Sequence, residues 1–402
     1  MQAENDLVKT LLATENGVQL VCTRLEQLMQ KHEAGDLDAE DSEVEAVMKQ
    51  ACDLIIIVLT GDEAMHILYN NGVGEVYLTM VKWLESTNYN LLTTAVLAIG
   101  NFARKDEYCI QMMENNIFDK LLDIFEIYHG FCVRIQKEQN KMHPIDIVTV
   151  NKIQHAVLSA IRNLTVPSEN KRVAAAKGRA APMLLNALPN IEDHQVAYKL
   201  LAAIRMLVDG QEGVARLLVG SEGALSAAGR WARAGHAGAE GEAPRLLARA
   251  LRQLRAVAAP RMLQVDGCVS SLVGMLVASH SIMQNEAILA LTLLAIETLH
   301  RKEQTDFDRE QSFVTQLISS EIGKHLSVLI ETNCAKMPVE VAENLMAFLD
   351  LTCKSNRLAS DYKEAKVQEA LHKFLDSRKD FSEDLKSCIG VVLTAISDCG
   401  KA

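Results

Sequence analysis

The side chains best suited to covalent or metal chemistry are scattered through this 402-residue sequence rather than gathered. Its 11 histidines include no H-x-x-x-H pair and no acidic partner at ligand spacing. The cysteines (22, 52, 109, 132, 268, 334, 353, 388 and 399) form no C-x-x-C pair and are odd in number, so they read as reduced thiols of a cytosolic protein. Gly72 and Gly74 in GVGEVY lack the third glycine of a dinucleotide loop, and no G-x-x-x-x-G-K-[ST] string exists to cradle phosphates. The sequence therefore assigns no catalytic residue, no metal ligand and no cofactor. What remains is charge. Glu33 to Glu45, EAGDLDAEDSEVE, holds seven acidic residues in thirteen and no basic one; it reads either as a solvated loop or as an electrostatic lure built on Asp36, Asp38, Glu40, Asp41, Glu43 and Glu45. Arg245, Arg249, Arg252 and Arg255 have helical spacing. Without interleaved aromatics, and in a chain of net charge −11, they do not make a nucleic-acid surface.

That net charge is localised. Residues 1–100 carry 5 basic and 16 acidic side chains, whereas 171–261 carry 14 basic and 7 acidic ones. Such a polarised surface steers and orients a charged partner. Hydrophobic residues make up 49%, aromatics only 4%, and there are 7 prolines. These proportions exclude a disordered or collagen-like chain and argue against a β-sandwich; abundant Ala, Leu and Met point to an all-α fold. The N-terminus lacks the basic and apolar regions of a signal peptide, and the longest aliphatic run, Leu54 to Leu59, is far short of a membrane span, so no stable membrane insertion is expected. Gly400 and Lys401 replace the aliphatic pair of a prenylation box after Cys399.

The elements that must position any binding residue come from a repeat. AVLAIGNFARKDEYCIQMMENNIFDKLLDIF (95–125) and AVLSAIRNLTVPSENKRVAAAKGRAAPMLLNAL (156–188) share one plan. An Ala/Leu-rich helix is followed by a polar turn, a short helix, a small-residue break (Asn115-Asn116, Lys177-Gly178) and an apolar helix. Aligning the long helix of each copy gives Val58, Asn101, Asn163, Met206, Gln253, Leu294 and Leu349, with gaps of 43, 62, 43, 47, 41 and 55. A base period near 43 belongs to armadillo and HEAT solenoids, which repeat at roughly 40–47 residues. The two long gaps contain polar insertions, one at about 129–147 and one at 300–311, expected as loops or helix extensions. The expected fold is an armadillo-repeat right-handed superhelical solenoid. Residues 1–40 would form a partial unit with the acidic loop, 41–300 the core repeats, and 301–402 degenerate helical repeats. A chain that begins mid-unit is expected to be part of a longer one.

In an armadillo stack the long helix lines the concave groove. Asn101 and Asn163 stand there, and each could hydrogen-bond a partner's backbone or tie neighbouring helices. Arg162 and Arg205 align one position earlier, with Arg252 in the same column; they read as a basic ladder or as inter-unit salt bridges. Gln284, Asn285 and Glu286 open a helix for which Ser281 could be the cap. Trp83 and Trp231 read as packing residues.

The ordered strings LIIIVLTGDEAMHILYNNGVGEVYLTMVKWL, GNFARKDEYCI, AIRNLTVPSENK and IMQNEA closely resemble the armadillo-repeat GDP-dissociation stimulators of small GTPases, the SmgGDS family. The resemblance is good over about residues 6–300 and weak beyond. It implies a binding protein with no covalent chemistry that engages Rho- and Ras-type GTPases. Such a protein would stimulate GDP release, chaperone prenylated partners with polybasic tails, or do both. The partners implied are these GTPases, with no nucleic acid; the chain is expected to be monomeric and cytoplasmic, reaching the endoplasmic reticulum or mitochondrial surface only through partners. Within that resemblance Asn101, Arg104, Lys105, Arg162, Asn163, Arg205, Asn285 and Glu286 are candidate GTPase contacts in the groove. Lys105 replaces an asparagine of the family's NFARND string. The family also carries further units upstream of the point where this chain begins, with part of its acidic surface on them. The alternative is a generic armadillo adaptor that binds extended peptides without exchange activity.

Overall fold

A computed structural model describes residues 5–36, 40–138, 142–299 and 306–399. Every regular element among them is helical. Two compact units divide between Leu207 and Val208.

The first unit opens with the pair α1 (Asp6–Thr14) and α2 (Gly17–Glu33). Three triplets follow: α3 (Asp41–Leu59), α4 (Asp62–Tyr69) and α5 (Glu75–Trp83); α6 (Tyr89–Phe102), α7 (Asp106–Glu114) and α8 (Ile117–Lys137); α9 (Ile147–Leu164), α10 (Ser168–Lys177) and α11 (Ala180–Ala187). The long helix α12 (His194–Val208) reaches the boundary. The second unit contains α13 (Glu212–Gly220) and α14 (Glu222–Trp231), then α15 (Ala237–Leu254), α16 (Ala259–Met262) and α17 (Cys268–Met275). It continues with α18 (Ser281–Leu299), α19 (Asp306–Ser319) and α20 (Ile322–Asn333), then α21 (Val339–Thr352), α22 (Asn356–Glu364) and α23 (Val367–Ser377), and ends on α24 (Glu383–Asp398). Every triplet except α6–α8 opens on its longest helix, a repeating three-helix rhythm that suits armadillo units. The first insertion resolves in part as helix, since α8 runs on to Lys137.

Long helices stack on long helices: α3 on α6 on α9 in the first unit, and α15 on α18 on α21 on α24 in the second. Small residues make this possible. Ala95, Ala98, Ala156 and Ala160 are fully or almost fully buried, and Gly100 faces Ala160 closely enough that an added Cβ would sit at 3.8 Å. Aromatics, scarce overall, are concentrated where α4, α5, α6 and α7 meet: Tyr69 stacks on Tyr108 at 4.0 Å, and Tyr77 is edge-on to both Tyr69 and Phe102.

The breaks recur in left-handed backbone. Asn16, Asn116, Gly178, Gly267, Glu321 and Lys366 all have φ between 56° and 85° and stand just before α2, α8, α11, α17, α20 and α23. Asn and Gly suit that conformation; Glu321 and Lys366 adopt it at a cost of roughly 1–2 kcal/mol.

Ion pairs join α2 to α5, the turn after α5 to α8, and α8 to the α10–α11 break in the first unit. Lys82 of α5 meets Glu26 of α2 at 3.0 Å, and the Trp83 indole N–H donates to the same carboxylate. Lys120 of α8 meets Glu85, Lys177 meets Asp119, and Arg179 spans Asp123 and Glu126 at 2.6 and 2.7 Å. Burial would raise the Glu26 carboxyl pKa, but the Trp83 and Lys82 hydrogen bonds outweigh it and hold the value below the usual range.

The hydropathy of α18 exceeds what the aliphatic runs suggested: by length and composition it could cross a membrane. It is instead an inner helix, with Ala287, Ile288, Leu291 and Leu294 fully buried and α15 and α21 packed against it.

Candidate protein-binding face

The candidate residues of the first unit fall at the two ends of its long helices. At the C-terminal ends, Asn101, Arg104, Arg162 and Asn163 come together in one hydrogen-bonded string. Arg104 donates to the Leu59 and Thr60 carbonyls that end α3, reaching Thr60 O at 3.1 Å, and pairs with Asp62 at 2.9 Å. It also donates to the backbone and side-chain oxygens of Asn101. Asn163 donates to the Gly100 carbonyl at 3.0 Å, and its amide oxygen accepts from Arg162. A helix C-terminus leaves carbonyls without donors, and these side chains supply them. Asn163 thus ties α9 to α6, and Arg104 ties α6 to α3. The exposed groups left over are Arg162 and Lys105, whose ammonium lies 5.4 Å from the centre of the Tyr108 ring.

The expected arginine column is broken. Arg162 and Arg252 are exposed, but Arg205 is buried at 7% exposure. On α12 it stands among buried apolar neighbours, Ile204, Leu207 and Val208.

The N-terminal ends of the same helices form a cleft of about 380 Å³ lined by Asp41, Glu45, Asn88, Tyr89, Asp146 and Lys152, among others. Asn88 caps α6 by accepting from the Asn90 and Leu91 N–H groups, and Asp146 caps α9 by accepting from Thr149. The Thr149 hydroxyl and N–H hold the Asp146 carboxyl below the usual range. Both caps were legible as Asn or Asp ahead of an apolar-periodic run, yet neither had been singled out. Of the acidic run, Asp41 and Glu45 reach this cleft, with His32 at 3.6 Å from Asp41. Asp36, Glu40 and Glu43 are exposed; Asp38 lies outside the described residues. Glu40, Asp41 and Glu43 also sit at the start of α3, where carboxylates favourably face the positive end of the helix dipole. Along α3, 19 residues or about 28 Å separate the acidic end from the Arg104–Arg162 end.

In the second unit, Asn285 and Glu286 are engaged within the fold. Asn285 accepts from Asn344 of α21 at 2.9 Å. Glu286 receives Arg245 at 2.8 Å and Arg249 at 3.0 Å; Arg249 also meets Asp209, and Arg245 meets Glu242. The arginine run of α15 is therefore half consumed by an internal network. Ser281 is the first residue of α18 rather than its cap: the His280 carbonyl accepts from Met283 and Gln284, and Gln284 donates to Ala278 O. Asn170, not anticipated, is fully buried and donates to the Cys109 and Leu164 carbonyls, both at 2.8 Å.

No protein-family model matches the chain. GTPase-GDP dissociation stimulator vimar of Drosophila melanogaster is 33% identical over 403 residues, covering 92% of this chain and 58% of that protein. Rap1 GTPase-GDP dissociation stimulators 1-A and 1-B of Xenopus laevis are 32% and 33% identical over 362 residues, covering 88% of this chain and 55% of each. The chain thus spans little more than half the length of these relatives. Among solved structures, an engineered protein is similar at 19% identity and a TM-score of 0.47, covering 67% of this chain and 98% of its own. A designed armadillo repeat protein in complex with the peptide (KR)4 is similar at 16% identity and a TM-score of 0.44, covering 69% and 99%. With its helical triplets in place and its sequence aligned to these stimulators along about nine-tenths of its length, the chain belongs to the family of armadillo-repeat GTPase-GDP dissociation stimulators.

Proposed function

We propose that this chain binds small GTPases of the Rho and Ras type and stimulates their release of GDP, acting by binding alone. The observation that carries the reading is the sequence relation to named GTPase-GDP dissociation stimulators along most of the chain. The physical logic is differential affinity: a face that holds the opened, nucleotide-free GTPase more tightly than the loaded one lowers nucleotide affinity by the same factor. A thousandfold effect needs about 4 kcal/mol of such preference. In this reading the exposed Lys105 and Arg162 meet acidic surface of the GTPase. The cleft holding Asp41 and Glu45 receives its basic, prenylated tail. The chain acts as a cytosolic monomer and reaches membranes through its partners.

The experiment is release of fluorescent GDP from a Rho protein, with and without its basic tail, in the presence of the full chain. Faster release that weakens when the tail is removed is expected. Uncatalysed release in both cases, together with no binding of the nucleotide-free GTPase, would overturn the proposal. Binding to extended peptides regardless of GTPase state would favour an adaptor instead.

A further inference from the structure

The Ala- and Arg-rich segment around α14 to α16 takes no part in the face described above, yet it builds a second cleft. About 360 Å³ in volume, it is lined by Ser226, Arg230, Arg233, Arg261 and Gln264 over an apolar wall that includes Leu225 and Val265. We propose that this cleft binds a phosphorylated serine or threonine side chain of a partner protein, independently of any GTPase on the first unit.

Two glycines bring the 265–267 turn against α14 beside the cleft. A Cβ on Gly229 would lie 2.5 Å from the Asp266 carbonyl oxygen, and a Cβ on Gly267, at φ +85°, would lie 2.5 Å from Arg233 Nε. Only glycine lets the 265–267 turn approach α14 so closely. That approach fixes Arg233, which lines the cleft: Asp266 holds its Nη2 at 2.8 Å, and its Nε donates to the Gly229 carbonyl at 3.5 Å. Arg230 is placed against the Trp231 ring at 5.7 Å and has a further partner besides. Arg261 is exposed and has no ion pair or hydrogen bond among the described residues. Three guanidiniums, an amide and a hydroxyl thus surround one recess. Planar guanidinium forks match the tetrahedral face of a phosphate monoester, and its charge is met by several donors at once.

Three arginines line the cleft against two acids, Glu222 and Asp266. Glu222 is eight residues before Arg230 on α14, about 12 Å away along the helix, and sits in its first turn where the helix dipole compensates it. Asp266 is already committed to Arg233. The site is a recess with an apolar wall rather than a raised basic surface. That shape favours a single phosphorylated side chain with its flanking residues over a membrane headgroup.

The test uses fluorescence anisotropy of the full chain with a degenerate phosphoserine-centred peptide pool and its unphosphorylated counterpart. Vesicles containing phosphatidylinositol 4,5-bisphosphate form a third arm. The phosphorylated pool is expected to bind at least about tenfold more tightly, Arg230→Glu with Arg261→Glu to abolish that difference, and lysines at both positions to restore it only in part. Arg261→Glu alone, at an exposed position, serves if the double variant loses its thermal transition. Equal binding of the two pools, or a preference indifferent to these substitutions, would overturn the site. Tighter, substitution-sensitive binding to the vesicles would overturn the choice of a protein ligand. GDP release from the Rho protein is expected to be unchanged in the Arg230 and Arg261 variants, so this proposal can fail without touching the functional one.

Discussion

Asn170 illustrates how much of this molecule depends on single polar side chains that the sequence does not advertise. Its amide satisfies two buried carbonyls on different helices, at the ends of α9 and within α7. Asn170→Ala is expected to destabilise the first unit by about 3 kcal/mol, the cost of stranding two buried acceptors, measured by urea unfolding. Arg104 and Arg162 separate structure from binding. Arg104→Ala frees the end of α3 and should cost about 1–2 kcal/mol of stability. Arg162→Glu should leave the melting temperature unchanged and weaken GTPase binding about tenfold, read by titration of the nucleotide-free GTPase. A drop in stability for Arg162→Glu equal to that of Arg104→Ala would erase the distinction. The candidate positions on the first unit's long helices were legible because the repeat alignment put Asn101 and Asn163 in one column. What their side chains touch was not, because hydrogen bonds such as Asn163 to Gly100 join residues 63 positions apart. For Arg205 burial speaks against the exposed ladder and leaves the inter-unit pairing open, because a column in sequence does not fix which side of a helix is covered.

At the scale of elements, the repeat rhythm was readable because the period, the Ala-rich long helix and the Asn or Gly break agree with one another. The later units were harder to see because their breaks fall on Glu321 and Lys366, residues that carry no turn signal. Lys366 is exposed and left-handed, so Lys366→Gly should relieve strain and stabilise the second unit by roughly 0.5–1 kcal/mol; a destabilisation in chemical denaturation would contradict it. The α8–α9 interface carries a pH dependence. Burial pushes the imidazolium pKa of His129 and of His155 below the ordinary histidine value of about 6.5; Gln154 opposes the shift at His129, while at His155 Lys199 adds to it and Asp193 opposes it. In the folded state both rings stay neutral where the unfolded chain would already take up protons. Stability is therefore complete above about pH 6.5 and declines as pH falls below it toward the folded-state values. His129→Gln combined with His155→Gln should flatten that slope in pH-dependent unfolding.

Across the whole chain, the two units rely on charge in different ways. The first is laced by more exposed pairs along α2, α5 and α8, whereas the second encloses Glu242, Arg245, Asp209, Arg249 and Glu286 in a more sheltered network. Salt screens exposed pairs more than sheltered ones. Raising ionic strength from about 0.05 to 1 M should reduce amide-exchange protection in α5 and α8 more than in α15 and α18; an equal loss in both would refute the contrast. The ladder of the first unit also has a sense of travel. In Glu26–Lys82, Glu85–Lys120, Asp119–Lys177 and Asp123–Arg179 the acid comes earlier in the chain and the base later, and Glu331–Lys373 repeats the order in the second unit. In the first unit these pairs carry a vectorial mark, with cations facing backward along the chain and anions forward, whereas in the second Arg245 and Arg249 reach forward to Glu286. A repeat inserted upside down, or two copies meeting head to head, would set like charges against each other. In a protein built from near-copies that could trade places during folding, this polarity disfavours swapped arrangements at almost no cost to the native one.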